Sequence, residues 1–198
     1  MPVKAFADAK VRLSPVLGAQ GRAALAEWSA TRVVAAADGM RVVIACDDDG
    51  VAAWARTVDA EVAWCPGLGL DGAVTRGIRH VAETGGVHVV VVHSDLPLAS
   101  GLRSLVDVGG ITLVPDARCD GTNVLSMPVD CALEVAYGRR SYARHLQRAL
   151  ATGLAVRFVH HGTLSLDLDV PRDLTHPLVK EVLPPWLPTN PANQSPTR

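Results

Sequence analysis

The sequence predicts an α/β domain built on a mixed, mostly parallel sheet flanked by helices. Three observations carry that expectation. Short apolar runs are rich in β-branched residues, helical stretches separate them, and the two alternate through the first part of the chain. With 198 residues, 48% of them apolar and 20% charged, the chain can bury one core and is not disordered overall. Four Trp, two Tyr and two Phe are its only aromatics, so Val, Leu and Ala must supply that core.

In order, residues 20–37 read as a helix, 41–46 as a buried strand and 49–58 as a helix. A weaker strand at 61–64 precedes a glycine-rich turn and a helix over 71–83. The most apolar strand is 87–92, followed by a helical stretch at 102–108 and a strand at 111–114. Each strong strand is short, β-branched and closed by an acidic or turn segment, as buried parallel strands are. After residue 115 the rhythm changes. Asp120-Gly121 is a hairpin-type turn leading into 122–127. A helix at 141–152 and late strands at 155–159 and 164–170 follow, some of them antiparallel. The domain spans 1–180, and the proline-rich residues 181–198 read as a disordered tail.

Composition removes several function classes. A net charge of -1 argues against a nucleic-acid or anionic-membrane surface working through bulk charge. No stretch approaches the roughly 18 apolar residues of a membrane span, and Met1-Pro-Val-Lys4 carries no secretory apolar region. Cys46, Cys65, Cys119 and Cys131 lack zinc-type or C-x-x-C spacing and read as reduced thiols of a cytoplasmic protein.

In an α/β sheet ligands bind beyond the carboxyl ends of the strands, so the polar residues there matter most. Lys4, Lys10 and Arg12 place three cations in the opening loop, which suits a polyphosphate or is an ordinary solvated loop. Asp95, in Ser94-Asp-Leu-Pro97, is placed either to hold Mg²⁺ or to cap a helix. In Leu164-Ser-Leu-Asp-Leu-Asp169, strand alternation puts Asp167 and Asp169 on one face about 7 Å apart, flanking a metal or simply half-exposed. Thr122 follows the Asp-Gly turn and can donate to an anion, while Ser141 reads as a helix N-cap.

Gly67-Leu-Gly-Leu-Asp-Gly72 matches the dinucleotide fingerprint but follows the weak strand. A glycine-rich turn passing close to a nucleotide base is the better reading. The histidines, including His93, His145 and the His160-His161 pair on opposite strand faces, show no ligand spacing and read as structural or surface residues. A P-loop and a serine-hydrolase elbow are absent.

Taken in order, these segments resemble a CofC-type guanylyltransferase. The resemblance runs through Pro2-Val-Lys4, Ala9-Lys-Val-Arg-Leu-Ser-Pro15, Ser94-Asp-Leu-Pro-Leu98 and Gly121-Thr-Asn123. It continues in Tyr137-Gly138-x-x-Ser141 with His145 and in Asp167-Leu-Asp-Val-Pro-Arg-Asp-Leu174, covering residues 2 to about 176. It implies a nucleotidyltransferase fold of the glycosyltransferase-A-like kind. It also implies transfer of GMP from GTP to a small phosphorylated three-carbon acid with release of pyrophosphate. Phosphoenolpyruvate is the acceptor it favours, with 2-phospho-L-lactate and 3-phosphoglycerate as alternatives. The product would pass to a downstream transferase in coenzyme F-420 biosynthesis; a homodimer is left open.

By the same resemblance, Lys4 touches the phosphates at the reacting centre, and Lys10 and Arg12 touch the triphosphate. Asp95 with Asp167 and Asp169 holds Mg²⁺, while Thr122, Gly138 and Ser141 receive the acceptor. Asp71 departs from the family's usual Asn, and the residue reading places it with Gly69 at the guanine base. The first central strand is short before Lys4, and the tail has no counterpart in the family pattern. Three rivals remain: another nucleotidyltransferase, a dinucleotide-dependent oxidoreductase using the Gly67–Gly72 turn, and a non-catalytic nucleotide-binding paralogue.

Overall fold

The computed structural model describes residues 1–160 and 162–187. Its architecture is mixed α/β, with helices packed on two sheets. Strand β1 (Val43–Cys46) runs parallel to β2 (Glu61–Trp64), with Val43 opposite Glu61. Met1 to Val3 lie along the other side of β1, where the Val3 N–H donates to the Ala45 carbonyl at 2.9 Å. The second sheet has the order β3–β5–β4–β6, formed by His88–Val92, Thr122–Pro128, Gly110–Pro115 and Ala155–Phe158. Strand β5 is antiparallel to both neighbours, and β4 pairs with β6 in parallel. Antiparallel pairing therefore sits at the centre of this sheet, because the β4–β5 turn is too short for a crossover.

The helices are α1 (Ala19–Ala35), α2 (Asp49–Thr57), α3 (Gly69–Glu83), α4 (Ser141–Ala151) and the short α5 (Pro177–Lys180). Asp48 caps α2, its carboxylate accepting the Val51 N–H at 2.9 Å. Ile44, Val51 and Ala55 pack between β1 and α2, and Phe6 meets Trp54 edge-on at 5.3 Å. Ile111, Leu113, Leu125 and Met127 fill the space between the second sheet and α4. An apolar cavity of about 400 Å³ is lined by β1, β3 and the neighbouring faces of two helices, residues 33–34 and 74–81, with Met1 and Pro2.

Two expected elements differ. Residues 164–170 are not a strand. Leu164 and Leu168 are both fully buried, and their neighbouring backbone groups bond outside any ladder. The Ala117 N–H donates to the Ser165 carbonyl and the Leu168 N–H to the Asp95 carbonyl. Asn123 donates its side-chain amide to the Leu164 carbonyl. The stretch at 102–108 is only a 3-10 turn over Leu102–Leu105, opened by Gly101 in the left-handed region and followed at once by extended backbone. Leu183 and Leu187 pack against Leu13, Leu17 and Val179. Residues 188–198 of the expected tail, and His161, lie outside the described residues.

Candidate active site

A cleft of about 640 Å³ opens at the carboxyl ends of β1, β2 and β3. Cys46 at the end of β1 and Asp47 just past it line the cleft, with Cys65 after β2 and His93 to Asp95 after β3. The opening loop supplies the opposite wall with Lys4, Lys10 and Arg12. Two 3-10 turns, Phe6–Asp8 and Val11–Leu13, compact this loop. Lys10 stands between them at φ +57°, a conformation disfavoured for a side-chain-bearing residue. That bend delivers its ammonium to Asp95, 3.2 Å away, and to the Leu168 carbonyl.

Asp95 and Asp169 line this cleft, and Asp167 lies near enough to Asp95 to feel its charge. Burial pushes the Asp95 carboxyl up, but the Lys10 ammonium and His93 outweigh it and hold it below the usual range. Asp167 goes the other way. Its burial and the charge of Asp95 raise its carboxyl to about 6. Asp169 pairs with Arg12 at 2.6 Å in an exposed contact. Asp173 anchors the segment, accepting the N–H groups of Asp169 and Val170 at 2.8 and 2.7 Å. Among the described residues, no three His, Cys, Asp or Glu side chains form a ready-made metal site.

Gly69, at φ +64°, opens α3 beside the cleft. Asp71, in the first turn of α3, is exposed, and its Oδ1 accepts the Tyr137 N–H at 2.8 Å. This bond ties the glycine-rich turn to a second group of polar residues beyond His93. There the Thr122 N–H donates to Ser141 Oγ at 3.0 Å, with both residues buried. Ser141 is the first residue of α4 rather than its cap, which is Arg140 at φ +56°. Gly138, at φ +97°, turns the chain just before that helix, and its carbonyl accepts the Ser141 N–H.

Lys4, Lys10, Arg12, Gly69, Asp95 and Asp169 thus line one cleft, and Thr122 and Ser141 form a separate buried pair. The fold brings to this region two histidines that read as structural, together with Tyr137 of the Tyr137-Gly138-x-x-Ser141 motif. The His93 ring lies 5.1 Å from Tyr137, whose ring lies 4.8 Å from His145. Among the described residues, His93 Nε2 and the Tyr137 hydroxyl are buried without a hydrogen-bond partner. His93 was legible as the first residue past the most apolar strand. His145, inside a helical pattern, looks like any core histidine until its partners are known.

A model of the family described as "Guanylyl transferase CofC like" matches residues 1–180. The phosphoenolpyruvate guanylyltransferase of Rubrobacter xylanophilus is 35% identical over 183 residues, spanning 88% of this chain and 89% of that one. The 2-phospho-L-lactate guanylyltransferase of Methanocaldococcus jannaschii is 24% identical, spanning 88% and 79%. The 3-phospho-D-glycerate guanylyltransferase of Phenylobacterium zucineum is 28% identical, spanning 87% and 85%. Among solved structures, a putative nucleotide-diphospho-sugar transferase from Desulfovibrio desulfuricans G20 superposes with a TM-score of 0.68 at 17% identity, covering 87% of this chain and 82% of its own. That likeness shows a nucleotidyltransferase-type fold, and the match over residues 1–180 shows that the chain belongs to the CofC-like guanylyl transferase family.

Proposed function

We propose that this chain transfers the guanylyl group of GTP to the phosphate of a three-carbon phospho-acid, phosphoenolpyruvate before its two relatives. An acceptor phosphate oxygen forms a bond to the α-phosphorus, and the bond from that phosphorus to the bridging oxygen breaks. Pyrophosphate leaves with the electron pair. The nucleophile is already an anion at neutral pH, so no strong general base is needed, and positioning with charge stabilisation carries the reaction.

One observation carries the reading: Lys4, Lys10 and Arg12 line one cleft at the strand ends together with Asp95 and Asp169. Cations there offset the repulsion between two polyanions. Lys10 and Arg12 hold carboxylates in the free protein, and the triphosphate competes for them. The 35% identity to a phosphoenolpyruvate guanylyltransferase supports the first choice of acceptor.

The acidic set suits Mg²⁺. Burial first and the charge of Asp95 second raise the Asp167 carboxyl to about 6, and a divalent cation would relieve the repulsive part. Asp95 and Asp167, with Asp169 beside them, would hold the ion, which would neutralise triphosphate charge. Asp71 has one oxygen engaged by Tyr137, leaving Oδ2 for the N1–H and amine of guanine. If Asp71→Asn leaves the preference for GTP over ATP unchanged, Asp71 does not read the base.

The deciding experiment is Mg²⁺-dependent pyrophosphate release from GTP, with phosphoenolpyruvate, 2-phospho-L-lactate and 3-phosphoglycerate supplied separately. Release with one acid, and none from ATP, is the expected result. Silence with all three would overturn the reading.

A further inference from the structure

Each hydrogen bond around His145 leaves one arrangement of protons. The ring is fully buried beneath α4. Its Nε2 lies 2.7 Å from the Ala136 backbone nitrogen, and a backbone N–H can only donate. Nε2 is therefore the bare, accepting nitrogen, so the neutral ring carries its proton on Nδ1. Nδ1 lies 2.9 Å from Thr122 Oγ1, which must accept that proton's hydrogen bond. The hydroxyl hydrogen of Thr122 is then free to be donated elsewhere. Ser141 is set in the same way, because its Oγ accepts the Thr122 N–H. Among the described residues neither hydroxyl donates to a protein acceptor.

We propose that His145 is a positioning residue that sets the buried Thr122 hydroxyl as a donor toward an anionic oxygen of the phospho-acid. This rests on the guanylyl-transfer reading, since the anion is that reaction's acceptor. The same ring couples Thr122 to the segment before α4. His145 holds the Ala136 N–H, Asp71 holds the Tyr137 N–H at 2.8 Å, and Arg144 holds the Tyr137 carbonyl at 2.6 Å. Thr122 on β5 and Gly138 ahead of α4 are thus held in one frame. Burial holds the imidazole well below its usual range, to about 4, so the accepting form of Nε2 persists at neutral pH.

Two substitutions separate the ring's two hydrogen bonds. Asn places an amide N–H near the Nδ1 position and can still donate to Thr122. Gln reaches the Nε2 position and can still accept from Ala136. With wild-type enzyme active on one of the three acids, H145L and H145Q are expected to raise the KM for that acid about tenfold, roughly one hydrogen bond's worth. The KM for GTP stays within about twofold, and H145N recovers most of the acid KM. Thr122→Val should raise the acid KM similarly, and the H145L/T122V double variant should be no worse than T122V alone. Melting temperatures identify any variant that fails to fold, and ¹⁵N-resolved NMR of the wild-type imidazole should show the Nδ1–H tautomer.

A better recovery by Gln than by Asn, additive effects of H145L and T122V, or equal rises in both KM values would overturn the inference alone. So would the Nε2–H tautomer. A wild-type chain inert with all three acids would overturn the guanylyl-transfer reading and this inference with it.

Discussion

Lys10 and Arg12 each hold a carboxylate, but the two pairs differ in weight. The Lys10 side chain is 7% exposed and Asp95 28%, so their pair is shielded and also satisfied by the Leu168 carbonyl. Arg12 is 72% exposed and its pair with Asp169 contributes little. Asp95→Asn should therefore lower the rate by about 100-fold or more, through loss of charge at the reacting centre. Its amide oxygen still accepts from Lys10, so a thermal melt should shift by only a few degrees. Full activity in pyrophosphate release would remove Asp95 from the site.

Asp167 and His145 give opposite pH dependences. The Asp167 carboxyl rises from 3.8 to about 6 in the folded protein, so the native state binds more protons between those values. Its contribution is favourable below 3.8 and is lost as pH rises through about 6. His145 falls from 6.5 to about 4, so its contribution is present above 6.5 and is lost as pH falls toward 4. Asp167→Asn should thus gain stability relative to wild type as pH rises from 4 to 6, by on the order of 2 kcal/mol. Urea unfolding at several pH values measures the difference. Added Mg²⁺ should shrink it if the ion binds there.

Helix α3 shows how one element serves two groups of residues. Gly69 begins it beside the cleft, and Asp71, two residues on, bonds Tyr137 in the other group. Gly69 takes φ +64°, which no side chain crowds but which a Cβ itself disfavours. Gly69→Ala should lower stability by about 1 kcal/mol, seen as a lower melting temperature, and should raise the KM for GTP. An unchanged KM would detach this turn from nucleotide binding. The segment 164–170 makes the complementary point. Its alternating Leu and Asp pattern suits a strand, yet its backbone partners come from Asp95, Ala117 and Asn123 on other parts of the chain.

At the scale of the molecule, two cavities have different characters. The one between β1 and β3 is walled largely by valines, whereas the cleft at the strand ends gathers the cations and carboxylates. Both sheets contribute to that cleft, β1 and β2 from one and β3 from the other. Guanylyl transfer should therefore be cooperative with folding of the whole domain. Pyrophosphate release and the intrinsic tryptophan signal should be lost together across a urea titration. Activity lost well before fluorescence would show that the cleft opens locally.

By itself the sequence determined the alternation of strands and helices, and it placed Lys4, Lys10, Arg12 and Asp95 at a strand-end site. Apolar periodicity is local and strands end where charge begins, so both can be read along the chain. The order of residues also carried the family resemblance. Only the tertiary structure decided that residues 164–170 leave the strand and that Ser141 accepts from Thr122 rather than capping α4. It alone joined His145 to Thr122 and Asp71 to Tyr137, separations of 23 and 66 residues. Such bonds depend on which elements pack together, and no local pattern of residue types encodes that.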